Sequence, residues 1–165
     1  MLSNLIDNLN RKQGEISSLL IVPLLLVVIY EVIMRYCFNA PTIWGFEVTT
    51  FLYGLHYMLG FSYTDVHDGH VKVDIFSSRL SKKKQAVLSI ICTLVIFLPT
   101  FTLLAIAAVQ FAYTSIEGLE LNSTSWAPPI YPFKSIMALA LIFLVLQGVS
   151  NLIKDFKILL NKTDE

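Results

Sequence analysis

Leu19-Leu20-Ile21-Val22-Pro23-Leu24-Leu25-Leu26-Val27-Val28-Ile29-Tyr30 is twelve residues without a charge or an amide side chain. A run of this kind, extended by its neighbours to about twenty residues, matches a hydrocarbon core about 30 Å thick. Three more runs follow, so the predicted spans cover about residues 16–35, 43–63, 86–113 and 133–153. Lipid offers no partners to an open strand edge, and alternating ten-residue barrel strands are absent, so each span is read as a helix. The composition agrees. Of 165 residues 55% are hydrophobic and only 15% charged, where a soluble domain carries about 25% charged residues. Twelve Lys+Arg balance twelve Asp+Glu, which leaves no basic field for nucleic acid. The predicted class is an all-α integral membrane protein forming one membrane domain, residues 1–165.

The first run is too long for a signal peptide and no small-residue cleavage site follows it, so it reads as a span. The third is too long for one perpendicular crossing and is expected to tilt. Pro99 inside it and Pro23 inside the first should each bend their helix. Pro128-Pro129-Ile130-Tyr131-Pro132 forms a rigid approach to the fourth.

Lys and Arg set the predicted orientation. Arg11 and Lys12 lie in the N-terminal tail. Lys72, Arg79, Lys82, Lys83 and Lys84 lie in the loop 64–85, and Lys154, Lys157 and Lys162 in the C-terminal tail. Only Arg35 and Lys134 fall on the side of loops 36–42 and 114–132. The positive-inside rule then places both termini and the middle loop in the cytoplasm. In that loop Asp74 is positioned to cap a short amphipathic helix, Ile75 to Leu80, lying in the interface. Ser81 is positioned to cap the third span, with Lys82, Lys83 and Lys84 beside anionic head groups. Cys37 and Cys92 fall at different depths and show no CxxC pattern, so neither a disulfide nor a redox motif is expected. Asn122-Ser123-Thr124 is a glycosylation sequon.

Ionisable groups near the spans need individual readings. Glu31 and Arg35 are four residues apart, on one helix face. Arg35 reaches either Glu31 or, across the first helix pair, Glu47 one turn into the second span. A clamp between these helices is favoured over a proton relay, because all three groups lie near the outer interface where snorkelling is easy. His56 has no second His at matching depth, which argues against haem ligation. The run from Asp65 to Asp74 holds two His and three carboxylates without an established metal-ligand spacing. No GxGxxG, P-loop or nucleophile motif occurs, and no cofactor or enzyme activity is expected of this chain.

The block Glu31-Val-Ile-Met-Arg35-Tyr36-Cys-Phe38-Asn39-Ala-Pro41, then Trp44-Gly-Phe-Glu47, Gly60 and Gly69-His70-Val71-Lys72-Val73-Asp74, resembles the small membrane subunit of tripartite ATP-independent periplasmic (TRAP) transporters, the DctQ-like family. Trp126-Ala-Pro128-Pro129 with Pro132 and Lys134, and Leu146-Gln147-Gly148, are similar to its last third. Many members carry a Trp in mid-span two and a basic residue soon after the Gly. Here those places read Tyr53-Gly-Leu-His56-Tyr57 and Phe61-Ser-Tyr-Thr-Asp65.

The resemblance implies a bacterial inner-membrane subunit that stabilises a large elevator-type partner carrying the sodium and substrate sites. An extracytoplasmic protein captures the solute, typically an organic acid. Membrane lipids, including a bound phospholipid, are the other expected partners, and nucleic acid is not one. Arg35, Trp44 and Glu47 match family positions that fix the first helix pair. His70 and Asp74 match the middle-loop pattern and shape its turn. Trp126 and Tyr131 are read as head-group anchors or contacts of the binding protein. The rival readings are a small antiporter coupled through Glu31 and a quinone-linked enzyme subunit.

Overall fold

The computed structural model describes residues 2–70 and 80–160. They form six α-helices: α1 (Leu2–Ser18), α2 (Ile21–Tyr36), α3 (Gly45–Val66), α4 (Lys82–Cys92), α5 (Leu98–Glu117) and α6 (Tyr131–Leu160), with a π-helical turn, Thr93–Phe97, joining α4 to α5. The β pairing found among the described residues is one isolated bridge, Leu121 with Pro129. Three helical stretches are long and apolar enough to cross a membrane: Leu2–Tyr36, Lys82–Glu117 and Tyr131–Leu160. The second expected span coincides with α3. Its 22 residues would extend about 33 Å, but Glu47, His56 and Asp65 make it less apolar than the others. The short helix expected at Ile75–Leu80 lies outside the described residues save for Leu80.

Both prolines act one turn before themselves. Proline has no N–H to give the carbonyl four residues back, and its ring crowds that carbonyl. For Pro23 the carbonyl is that of Leu19, and there the helix breaks. Leu19 N–H bonds to the Ile16 oxygen, Leu20 N–H to Ser17 and Val22 N–H to Leu19, at 3.1–3.2 Å. For Pro99 the carbonyl is that of Val95, inside the π-helical turn, where Leu98 N–H reaches back five residues to Thr93. A π-turn is a common place for a helix to absorb such a missing bond.

The helix at the N-terminus begins at Leu2 rather than near Ile16. Only a few apolar residues, at helical spacing, mark α1, and its charges make it read as a tail. Ser81 stands before α4 with extended backbone, as a helix-starting residue does, but its side chain makes no capping bond. Gln85, in the first turn, instead donates its Nε2 to the Leu80 carbonyl at 2.9 Å and so ties the helix to the residue before its start.

The long helices stand in an open row. α2 packs on α3, α3 on α6, and α6 on α5, while neither α2 and α5 nor α3 and α5 form a comparable contact. α1 lies across α3 and α6, and α4 continues the α5 line along α6. The seam between α5 and α6 is made of small residues. Ala105, Ala108, Ala112 and Ser115 are buried on α5, and Ala138 of α6 packs against Ala108 and Ala112. Such residues let helix axes approach where lipid supplies no hydrophobic drive for association. Large apolar side chains point outward instead, from Leu25 and Leu26 on α2 to Leu103 and Ile106 on α5. One end of the row carries Trp44, Trp126 and the segment between α5 and α6. The other carries Lys82 to Lys84, Lys154 and the start of α1.

Candidate functional site

At the tryptophan end two separate ties hold the row. The first joins α2 to the start of α3. The Thr42 hydroxyl donates to Glu31 Oε2, while its oxygen accepts the Gly45 N–H at 3.0 Å. Glu31 thus grips the residue that stands in for an N-cap of α3. Its other oxygen pairs with Arg35, 3.0 Å away along the same helix. Gly45 is the one residue that fits between them. A Cβ there would lie 2.6 Å from both Glu31 Oε2 and Thr42 Oγ1. Trp44 stacks on Tyr30, ring centres 5.7 Å apart, across the same junction.

The second tie involves Glu47, which does not join Arg35. Glu47 is buried and accepts a long bond, 3.4 Å, from Asn122 Nδ2 in the segment between α5 and α6. So of the two partners open to Arg35 it takes Glu31, and Glu47 ties α3 to a loop 75 residues away. That loop is itself well fastened. Asn122 N–H bonds to the Pro128 carbonyl and Ile130 N–H to the Glu120 carbonyl. The nearly buried Lys134 ammonium pairs with Glu120 and sits 3.8 Å from the centre of the Phe111 ring. Lys134 holds the Glu120 carboxyl below the ordinary glutamate value. Leu119 and Ala127 take the left-handed conformation here, φ 44° and 48°. Trp126 is exposed on this loop and Tyr131 half-buried at the first turn of α6.

At the lysine end lies a polar network that the sequence does not announce. Gln147 on α6 has no exposed surface. Its Nε2 donates to Asp7 Oδ1 at 3.0 Å and to Asn151 Oδ1 at 3.1 Å, and its Oε1 accepts from Asn10 Nδ2 at 2.8 Å. Ser150 donates to Asp7 at 2.7 Å, Lys154 pairs with Asp7 at 2.7 Å, and Asn151 donates to Asp65 at 2.9 Å. Three helices, α1, α3 and α6, meet in these bonds. The available signal was Gln147 itself, an amide inside an apolar run, since such a group in lipid needs a partner.

The histidines face main-chain carbonyls: His56 Nδ1 that of Ser17 at 3.1 Å, His67 Nδ1 that of Tyr63 at 3.0 Å, and His70 Nε2 that of Phe61 at 3.2 Å. Among the described residues no three His, Cys, Asp or Glu side chains group to hold a metal ion. Lys82, Lys83 and Lys84 are exposed at the start of α4. Lys72, Asp74 and Arg79 lie outside the described residues.

These features join helices to one another. Against known families, residues 24–158 match the model DctQ, described as the DctQ component of tripartite ATP-independent periplasmic transporters. The chain belongs to the DctQ family. A search of curated proteins gives no match. The DctQ match agrees with the resemblance carried by the Glu31-to-Pro41 block and the Trp44 and Glu47 positions. DctQ is a transporter component, not an enzyme family, and with its three long apolar helices the chain has the character of a multi-pass membrane protein. The matched residues begin after α1, so the Asp7 and Asn10 half of the polar network comes from outside them.

Proposed function

We propose that this DctQ chain is the small permease subunit of a TRAP transporter and serves as stationary scaffold for the large membrane subunit. The family match over residues 24–158 carries this reading. The open row fits it: helices fastened at both ends by polar ties, with broad apolar flanks left for lipid and for a larger membrane partner. On this reading α3 is the second of four spans, both termini lie in the cytoplasm, and the membrane is the bacterial inner membrane. Lys72, Arg79 and Lys82 to Lys84 face anionic head groups, with His70 and Asp74 shaping the turn before them. Glu31, Arg35, Trp44 and Glu47 keep the outer end rigid. Trp126 and Tyr131 anchor that end at the head groups or meet the solute-binding protein when it docks. Sodium and the solute, an organic acid or a similar molecule, bind in the large subunit, and a phospholipid is the further ligand expected of this chain.

The test is purification of the tagged chain from its native membranes in mild detergent, with mass spectrometry of every stoichiometric companion. One large polytopic protein at a one-to-one ratio is the expected result. A stable homo-oligomer without a companion would overturn the scaffold reading.

A further inference from the structure

α1 divides lengthwise into three sectors. With about 100° between successive residues, Ser3, Asn10, Gly14 and Ser17 share one side, and all four are buried. This side docks on α3 and α6. Besides the Asp7 and Asn10 bonds, Gln13 Nε2 donates to the Leu59 carbonyl at 3.1 Å, Ser62 donates to Gln13 Oε1 at 3.1 Å, and Ser150 to the Ser3 carbonyl at 3.2 Å. Roughly a third of a turn away runs a ridge of Leu2, Leu5, Leu9 and Ile16, which are 60, 62, 48 and 69% exposed. The remaining third presents Asn4, Asn8, Arg11 and Glu15, all exposed, with Lys12 on its border with the ridge.

Each simpler environment fails to account for one sector. A helix in water has no reason to expose an apolar ridge of Leu2, Leu5, Leu9 and Ile16. A helix ringed by lipid cannot leave Arg11, Glu15 and two asparagines in hydrocarbon. A helix enclosed by the rest of this chain would expose neither. Three sectors suit a helix set obliquely into the boundary of water and hydrocarbon with protein at its back, its Ser3 end at Ser150 near the lysine end and its Ser17 end deeper, at His56 halfway along α3. The docked polar side fixes its rotation about its own axis, so the ridge cannot roll away. The break at Leu19–Leu20 then turns the chain from this boundary into α2.

We propose that α1 is a lipid-surface helix: its Leu2, Leu5, Leu9 and Ile16 ridge enters the acyl region at the lysine end of the molecule. Arg11 and Lys12 lie at head-group phosphates, and Asn4, Asn8 and Glu15 face water. α1 precedes the residues that match the family, so this proposal does not depend on the scaffold reading.

Nitroxide scanning tests it. The full chain carrying Cys37→Ser and Cys92→Ser is labelled in turn through Asn4→Cys, Leu5→Cys, Asn8→Cys, Leu9→Cys, Arg11→Cys and Ile16→Cys. Each protein is reconstituted in phosphatidylethanolamine–phosphatidylglycerol vesicles, and collisions with oxygen and with a water-soluble nickel chelate are compared. The labelled side chains point away from the docked side, so none of the substitutions removes an α1 bond to α3 or α6. At Leu5, Leu9 and Ile16 oxygen should dominate several-fold, and at Asn4, Asn8 and Arg11 nickel should dominate, in opposite phase along the helix. Equal nickel access at all six positions would place α1 in water and overturn the proposal. Ridge positions closed to both reagents would assign the ridge to a protein contact and overturn it equally.

Discussion

Glu31 is the residue on which the two rival readings of the tryptophan end divide. Its carboxylate is shared between Thr42 and Arg35, an arrangement that positions the start of α3. Glu31→Ala should lower the thermal stability of the purified chain by about 0.6 kcal/mol for each hydrogen bond removed, the average for such bonds in membrane proteins. Glu31→Gln should leave solute uptake by the assembled transporter within about twofold, since one oxygen remains to take the Thr42 hydroxyl; uptake assays on reconstituted complexes check it, and abolished uptake with normal assembly would favour a coupling role. Glu120 gives a pH test. Its folded-state value lies below the ordinary glutamate value because Lys134 favours the charged form. The fastening it gives the loop is therefore complete above about pH 4.3 and is released as pH falls through the lower folded value. Trp126 fluorescence should change below about pH 4, and Glu120→Gln should abolish that step. The Arg35–Glu31 spacing was legible as an i,i+4 pair. The Glu47–Asn122 bond was not, because nothing local links residues 75 apart.

Among elements, the close approaches depend on glycines of unequal tolerance. A Cβ on Gly14 would meet Tyr63 at 2.1–2.4 Å, and the atoms it strikes include the Tyr63 Cβ, which cannot swing aside. A Cβ on Gly148 would strike ring atoms of Phe97 at 2.3–3.3 Å, but neither its Cβ nor its backbone. Gly14→Ala should therefore cost about 1–3 kcal/mol and Gly148→Ala less, as read from melting of the two variants in one detergent. Lys154→Met strands Asp7 in the α1 dock, and amide hydrogen exchange in α1 should speed up at least tenfold; adding Asp7→Asn should restore much of the protection. The long apolar runs announced α2, α5 and α6, and the two prolines announced the breaks beside them. α1 stayed hidden because its ridge is narrow and its buried side is polar, the reverse of the pattern by which a docked helix is recognised. The π-turn was legible only as a bend, since a proline dictates the missing bond but not how the helix absorbs it.

For the whole molecule, adjacency decides more than any residue. Four long helices joined edge to edge have three seams and no common interior, so the apolar runs and their order could be read from the sequence while their lateral arrangement, and the extra helix α1, could not. The row accounts for why buried apolar residues are mostly alanines and why the largest side chains look outward. It also has a mechanical meaning. A palisade resists compression along its stakes and yields across them, and curvature gathers at whichever seams are unbraced. Here α1 is strapped over the α3–α6 seam alone. The middle of the palisade is thus a stiff plate, and any bending to match a neighbour's contour falls on its two flanking panels, α2 and α5.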